Sequence, residues 1–328
     1  MRLIAFRIFS ATGALIGLTA LLALILINTK APTAGEAEDV FGLESLMRVP
    51  LPPMPPLVRY EARDGIKLPY RIYPSTSPNV LIFVHGSTYH GGGYHLLGQA
   101  ISRSNGATVV LPNLRGHYRS GETSGDVNYI GQLEDDISDL INVLSDQGYP
   151  GPYFLGGHSS GGGFAIRFGS GPHSHMVQNY LLLAPAIPGS PTFRPAIKSH
   201  ATAHKKRLLG LFTFNFFGIH AFDHLQVITF NKPLHLQDRT ETLSYSHRLN
   251  LSYHPRFPLG RDLNSLPQGS LMLIGGNDEV INADDLIKFF EEHASLTRVE
   301  SLPHINHIWV ANSNLVFSKI LEWFRELN

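Results

Sequence analysis

The chain has 328 residues, 43% of them hydrophobic, which is enough for one large domain with an insertion. Its 26 basic and 26 acidic residues give zero formal net charge, so there is no basic surplus of the kind that favours nucleic acid as a partner. The absence of cysteine excludes disulfides, thiolate metal sites and a cysteine nucleophile. The 17 histidines include no H-E-x-x-H spacing, so we expect neither a metal nor a cofactor.

An uncharged apolar run over residues 8–27 opens the chain. At about 20 residues it is long enough to cross the roughly 30 Å hydrocarbon core as a helix. Arg2 and Arg7 precede the run, and only Lys30 follows it closely, which favours a cytoplasmic N-terminus. We therefore predict an uncleaved membrane anchor over residues 1–27, with the catalytic domain on the outer or periplasmic side. A cleaved signal peptide and a secreted protein are the alternative.

A proline-rich linker is predicted over residues 28–56, because its run of prolines favours extended backbone. From residue 57 onwards, short apolar strands alternate with helical patterns. A hairpin is predicted over residues 58–73, and the continuous apolar run 80–84 is typical of a central strand buried on both faces. This alternation predicts an α/β fold, with a mostly parallel sheet covered by helices on both faces.

The stretch Gly157–Gly161 reads G-x-S-x-G and places Ser159 at its centre. It follows the apolar run 153–155 and precedes a segment that can continue as a helix, which is the context of a nucleophile elbow. A glycine-rich loop between a strand and a helix is the alternative. A serine hydroxyl is a weak nucleophile, so the rest of the chain must supply a base and an acid that orients it.

Two later loops supply these groups in the order expected after a nucleophile elbow. Asp278 lies just past the predicted strand 271–274 and is our candidate acid, with Glu279 as the adjacent competitor. His307 lies before the last predicted helix and is our candidate base, with His304 as the alternative. The oxyanion of the reaction needs two preorganised donors, for which we predict the backbone N–H groups of Ser160 and Ser87.

Residues 57–328 resemble the α/β-hydrolase superfamily, and within it the serine aminopeptidase, monoacylglycerol lipase and lysophospholipase-like group. The resemblance implies an acyl-serine intermediate with Ser159 as nucleophile, His307 as base and Asp278 as its orienting acid. Asn113 and Tyr118 stand where the group usually has Asp and Gly, which leaves the subfamily open. The matching pieces are Val84-His85-Gly86, Leu114-Arg115-Gly116-His117, Gly157–Gly161, Gly275–Asp278 and Asn306-His307.

The resemblance also implies a cap inserted at about residues 188–262. Its aromatic run Phe212, Phe214, Phe216 and Phe217 suits a wall for an acyl chain, a membrane contact or simple packing, and we favour the acyl wall. We therefore predict a membrane-anchored serine hydrolase acting on carboxylic esters of the lysophospholipid or monoacylglycerol type. A peptidase or amidase with the same triad and an inactive hydrolase-fold binding protein are the alternatives.

Overall fold

The computed structural model describes residues 2–32, 38–39, 41–194 and 200–327, with the backbone alone for residues 2–14. The helices within these ranges are α1 Arg2–Ile27, α2 Leu43–Met47, α3 His95–Arg103, α4 Gln132–Asp146, α5 Ser160–Gly169, α6 Lys205–Phe216, α7 His247–Ser252, α8 Leu259–Leu263, α9 Ala283–His293 and α10 Asn314–Leu327. The strands are β1 Val58–Glu61, β2 Lys67–Tyr73, β3 Val80–Val84, β4 Thr108–Pro112, β5 Tyr153–His158, β6 Asn179–Leu183, β7 Ala201–Ala203, β8 Gln226–Phe230, β9 Ser244–Ser246, β10 Leu271–Gly275 and β11 Arg298–Leu302.

The main sheet has eight strands in the order β1-β2-β4-β3-β5-β6-β10-β11. The pairs β1–β2 and β2–β4 are antiparallel, and every other pair in the sheet is parallel. The apolar central strand β3 is buried along its whole length, as expected for a strand with helices on both faces. The predicted α/β-hydrolase fold with a mostly parallel sheet is confirmed.

The carboxyl ends of the parallel strands meet at one edge of this sheet, where ligands bind in open α/β folds. The loops after β3, β5 and β10 and the loop after β11 carry the predicted site residues to that edge. A three-stranded antiparallel sheet, β7-β8-β9, lies together with α6 and α7 within the predicted insertion over residues 188–262. These elements form the cap.

Helix α1 packs against α6 of the cap through a small apolar cluster separate from the main core, made of Ala23, Ile27, Leu211, Phe214 and Val227. Gly210 permits the close approach, since a Cβ there would lie 2.7 Å from Ile27 Cγ2 and 2.8 Å from the Ala23 carbonyl oxygen. Arg207 Nε donates to the Ile27 carbonyl oxygen at 2.9 Å and so caps the C-terminal turn of α1. The N-terminal helix is therefore docked on the cap.

The predicted membrane anchor forms a helix but is not supported as a membrane span. Among the side chains that the structure describes, no helix combines the length and apolar character needed to cross a membrane. The first part of the predicted span, residues 8–14, lies outside the described side chains. The described part of α1 still exposes large apolar side chains, at Leu15, Ile16, Leu18, Leu21, Leu22, Leu24 and Ile25.

Candidate active site

Ser159 lies in a sharp turn between β5 and α5 and has positive φ, with φ 53° and ψ −122°. Non-glycine residues rarely adopt such a conformation, and strain of this kind is concentrated at functional sites. The two flanking glycines explain why the turn can form. A Cβ on Gly157 would lie 2.2 Å from the Gly161 carbonyl, and a Cβ on Gly161 would lie 2.3 Å from the Val84 carbonyl oxygen. The serine is partly exposed and faces a cavity of about 280 Å³.

The structure brings Asp278 and His307 together, as expected from the sequence. His307 Nδ1 lies 2.7 Å from Asp278 Oδ2, and both side chains are almost fully buried. The other carboxylate oxygen, Oδ1, accepts the backbone N–H groups of Val280 at 2.9 Å and Ile281 at 2.7 Å. The carboxylate is thus held by three donors, and the Nδ1 proton it accepts leaves His307 Nε2 free to act as a base.

Two opposing effects act on the imidazole of His307. Burial disfavours its charged form, but the charge and the hydrogen bond of Asp278 outweigh burial and raise the pKa of His307 above its usual value. Ser159 and His307 line the same cavity. Among the described residues, the Ser159 hydroxyl makes no hydrogen bond within 3.5 Å. Catalytic contacts of this kind often tighten only in the complex with substrate.

The alternative candidates, Glu279 and His304, occupy different positions around the Asp278–His307 pair. Glu279 Oε2 accepts the backbone N–H of His307 at 3.1 Å, so Glu279 supports the histidine loop without contacting the imidazole nitrogens. Burial raises the pKa of the Glu279 carboxyl. His304 is exposed, has positive φ and does not line the cavity. The geometry therefore favours Asp278 and His307 over their neighbours.

The backbone N–H groups of Ser87 and Ser160 are available at the cavity. The neighbours of Ser87 are already occupied, because Gly86 N–H donates to the Tyr94 hydroxyl at 2.9 Å and Thr88 N–H donates to the Tyr245 hydroxyl at 2.8 Å. Within the described part of the chain, neither the Ser87 nor the Ser160 N–H has a protein acceptor. Two unoccupied donors beside the nucleophile match the requirements of an oxyanion hole.

A side-chain relay that sequence reasoning missed connects these two serines to the cap. His254 Nδ1 donates to the Asn250 carbonyl oxygen at 2.8 Å, so its Nε2 accepts the Ser160 hydroxyl at 3.2 Å. The Ser160 oxygen in turn accepts the Ser87 hydroxyl at 2.5 Å. Burial lowers the pKa of His254 to about 4, which keeps it neutral near pH 7. No local motif pointed to His254, since only tertiary folding brings it to the elbow.

The predicted acyl wall of cap phenylalanines is wrong. Phe214 is buried against α1, and Phe212 packs edge-to-face on His247 at 5.2 Å. Phe216 is 84% exposed and Phe217 is 51% exposed. None of the four is among the described residues that line the cavity. Helix α6 contributes Leu208 to the lining of the cavity, and its aromatic run faces α1 and the outside instead.

Apolar side chains from several parts of the fold dominate the cavity next to Ser159. They come from the cap, the main domain and the segment before β1, and they include Phe41, Leu43, Phe193, Leu208, Ile228, Phe230 and Ile308. Among the described residues, no group of three or more histidine or acidic side chains is arranged to hold a metal ion. The arrangement suits an apolar substrate positioned for attack by a serine.

Comparisons with known proteins support the α/β-hydrolase fold. A family model described as serine aminopeptidase, S33, matches residues 76–218, which include the nucleophile elbow. The α/β-hydrolase resemblance is confirmed. The broader enzyme class predicted from the sequence, a serine hydrolase, is confirmed with it. No curated protein matches the sequence.

Solved structures with the same fold include two lipases and an esterase. A monoglyceride lipase from Saccharomyces cerevisiae, crystallised as a soluble variant with a substrate analogue, is 16% identical, with a TM-score of 0.62 over 84% of this chain and 96% of that one. The monoacylglycerol lipase of Paleococcus ferrophilus is 17% identical, with a TM-score of 0.57 over 80% and 99%. A thermophilic esterase from Thermogutta terrifontis is 17% identical, with a TM-score of 0.53 over 83% and 99%.

Proposed function

We propose that this serine hydrolase cleaves carboxylic esters that carry an apolar acyl chain, as in monoacylglycerols or lysophospholipids. The observation that carries the proposal is the buried Asp278–His307 pair beside an apolar cavity into which Ser159 faces. The apolar walls of this cavity can remove the methylene groups of an acyl chain from water, and each buried methylene stabilises binding by about 0.8 kcal/mol.

The proposed chemistry proceeds through an acyl-serine intermediate. Ser159 Oγ would attack the ester carbonyl carbon while His307 Nε2 takes the hydroxyl proton, and the imidazolium would be stabilised by Asp278. The Ser87 and Ser160 N–H groups would bind the tetrahedral oxyanion. The alcohol would leave with the proton from His307. Water activated by the same nitrogen would then release the acid and restore the serine.

Purified Ser159→Ala protein tests this proposal directly. We expect it to lose both labelling by a fluorophosphonate and hydrolysis of octanoate esters, while its melting temperature stays near that of the wild type. The matched control is Ser265→Ala, which removes an exposed serine hydroxyl bonded only to the Arg261 carbonyl. Wild-type turnover by Ser159→Ala would refute the triad.

The preference for ester or amide substrates distinguishes an esterase from the alternative, a peptidase or amidase. An aminopeptidase must hold a free ammonium group, and Glu38 is one carboxylate among the described cavity residues that could do so. Matched ester and arylamide substrates with the same acyl group separate the two activities. We expect kcat/KM to be far higher for the ester, and the reverse ranking would favour a peptidase.

The proposal includes attachment to a membrane through α1, with the N-terminus cytoplasmic and the catalytic domain on the outer side. Helix α1 docks on α6 and exposes apolar side chains. Helix α6 and the turn after it expose further apolar side chains, at Leu209, Phe212, Phe216, Phe217 and Ile219. Exposed apolar side chains on two helices that pack together suit contact with lipid. Because α1 docks on the cap, we expect it to remain part of the mature protein and not to be cleaved off as a signal peptide.

Membrane attachment and topology are tested on the native protein. N-terminal sequencing of the membrane-extracted protein should show that residues 1–27 are still attached. Protease added from the outer side should digest the catalytic domain. A mature terminus near Glu38 would show a cleaved signal peptide. Digestion from the cytoplasmic side alone would reverse the orientation.

A further inference from the structure

The segment between α1 and the main domain forms part of the cavity wall. Residues 38–39 and 41–47, which we call the N-terminal wall, line the same cavity as Ser159 and His307, at Glu38, Phe41, Leu43 and Leu46. The sequence predicts that this region belongs to an extended linker, over residues 28–56. In the fold, it closes the active site on one side.

Phe41 makes the most direct contact between this wall and the catalytic residues. Its ring is 9% exposed and lies 5.4 Å from the His307 ring, tilted by 30°. It also packs edge-to-face against His200 with ring centroids 4.2 Å apart. The ring therefore separates the base from solvent on this side and presents an apolar face to the cavity.

The wall has a defined local structure. The Asp39 carboxylate accepts the backbone N–H groups of Leu43 at 2.8 Å and Glu44 at 3.0 Å, which caps the start of α2. Gly42 has φ 64°, a conformation that favours glycine, and this turn directs Phe41 and Leu43 inwards. Leu43 is 4% exposed, so the helix is anchored by burial as well as by its cap. Such a segment can define the shape of a cavity.

We propose that the N-terminal wall determines which acyl chain lengths the enzyme accepts, with Phe41 and Leu46 as the specificity-determining residues. This inference rests on the ester hydrolase function proposed above. Cap residues such as Ile228 and Phe230 line the same cavity as the wall, so an acyl chain attached to Ser159 would be enclosed by both. The wall begins only 11 positions after the last residue of α1, Ile27, so the helix that docks on the cap also tethers the wall.

The test uses the full-length chain in detergent micelles and a series of p-nitrophenyl esters from acetate to dodecanoate. Phe41→Ala removes the ring from the wall, and each methylene that loses such a contact lowers kcat/KM by a factor of about four. We expect the loss for octanoate to be roughly tenfold larger than the loss for acetate, because the acetate loss reports only the changed surroundings of His307, which all esters share. Leu46→Phe adds volume to the wall and should shift the preferred chain to a shorter one while acetate turnover is kept.

Glu44→Ala is the matched control, because Glu44 lies in the same short helix, is exposed, and lines neither the catalytic cavity nor the pocket that adjoins it. Its chain-length profile should equal that of the wild type. Fluorophosphonate labelling of each variant shows that its active serine is assembled, and Leu46→Phe decides the question if Phe41→Ala does not fold. Equal losses for acetate and octanoate, or unchanged profiles in both variants, would overturn the role of the wall. Failure of the wild type to hydrolyse any ester would instead overturn the proposed function.

Discussion

Replacing Asp278 with asparagine should lower kcat by about 10³- to 10⁴-fold while the protein stays folded. The reason lies in the three donors around the carboxylate. Oδ1 accepts two backbone N–H groups, from Val280 and Ile281, and Oδ2 accepts His307 Nδ1. An amide at this position has one acceptor oxygen and one NH2 group.

The backbone donors decide how that amide must be oriented. If the amide oxygen accepts from Val280 and Ile281, as Oδ1 does now, the NH2 group points at His307 Nδ1. Nδ1 must then be the unprotonated nitrogen, and the proton moves to Nε2, which can no longer take the proton of Ser159. The opposite orientation leaves two buried N–H groups facing an NH2 group, at a cost of about 1–3 kcal/mol each. The first orientation is therefore favoured, and it takes His307 out of its catalytic tautomer.

The pH dependence gives a second readout of the same replacement. The base works only when it is neutral, and Asp278 holds the pKa of His307 above its usual value of 6.5, so kcat/KM should fall as the pH drops through that raised pKa. In Asp278→Asn the carboxylate charge is gone while burial still disfavours the imidazolium. The acid limb of the profile should therefore move to lower pH, although the plateau is far lower.

The assay is the pH profile of kcat/KM for octanoate ester hydrolysis, with Glu279→Gln as the control. Glu279 accepts the backbone N–H of His307 rather than a ring nitrogen, and a glutamine oxygen can still accept it. We expect the control to lose less than about tenfold. A larger loss in Glu279→Gln than in Asp278→Asn would refute the assignment of the acid. An acid limb that does not move in Asp278→Asn would refute the account of the His307 pKa.

Three further predictions follow from the same contacts. His307→Ala should abolish octanoate ester hydrolysis whereas His304→Ala, at an exposed position, should keep more than about half of it, and the reverse ranking in steady-state assays would reassign the base. His254→Ala, which frees the Ser160 hydroxyl, should lower kcat about tenfold with KM nearly unchanged, and a rise in KM alone would show that the relay serves binding instead. Gly210→Val should loosen the docking of α1, seen as faster proteolysis after α1, and an unchanged digestion pattern would contradict the close helix contact.

The fold class and the candidate catalytic residues could be predicted from the sequence. The apolar run of β3, the strand–turn–helix context of Ser159 and the places of Asp278 and His307 in loops after predicted strands are local patterns. Each of them reports on a few neighbouring residues, whose backbone conformation and burial follow from their own composition. The glycines around Ser159 could be interpreted from the sequence in the same way, because the turn itself imposes the requirement for a missing Cβ.

The surroundings of the catalytic residues depend on contacts between distant parts of the chain, which the sequence did not predict. Phe41 lies 266 positions before His307 in the chain, and His254 lies 94 positions after Ser160, yet each pair is in contact. The same holds for Phe214, whose aromatic character suited an acyl wall but whose side chain packs on α1 instead. Burial of an apolar side chain lowers the free energy whichever apolar partner covers it, so composition predicts that such a residue is covered and leaves its partner to be set by the fold.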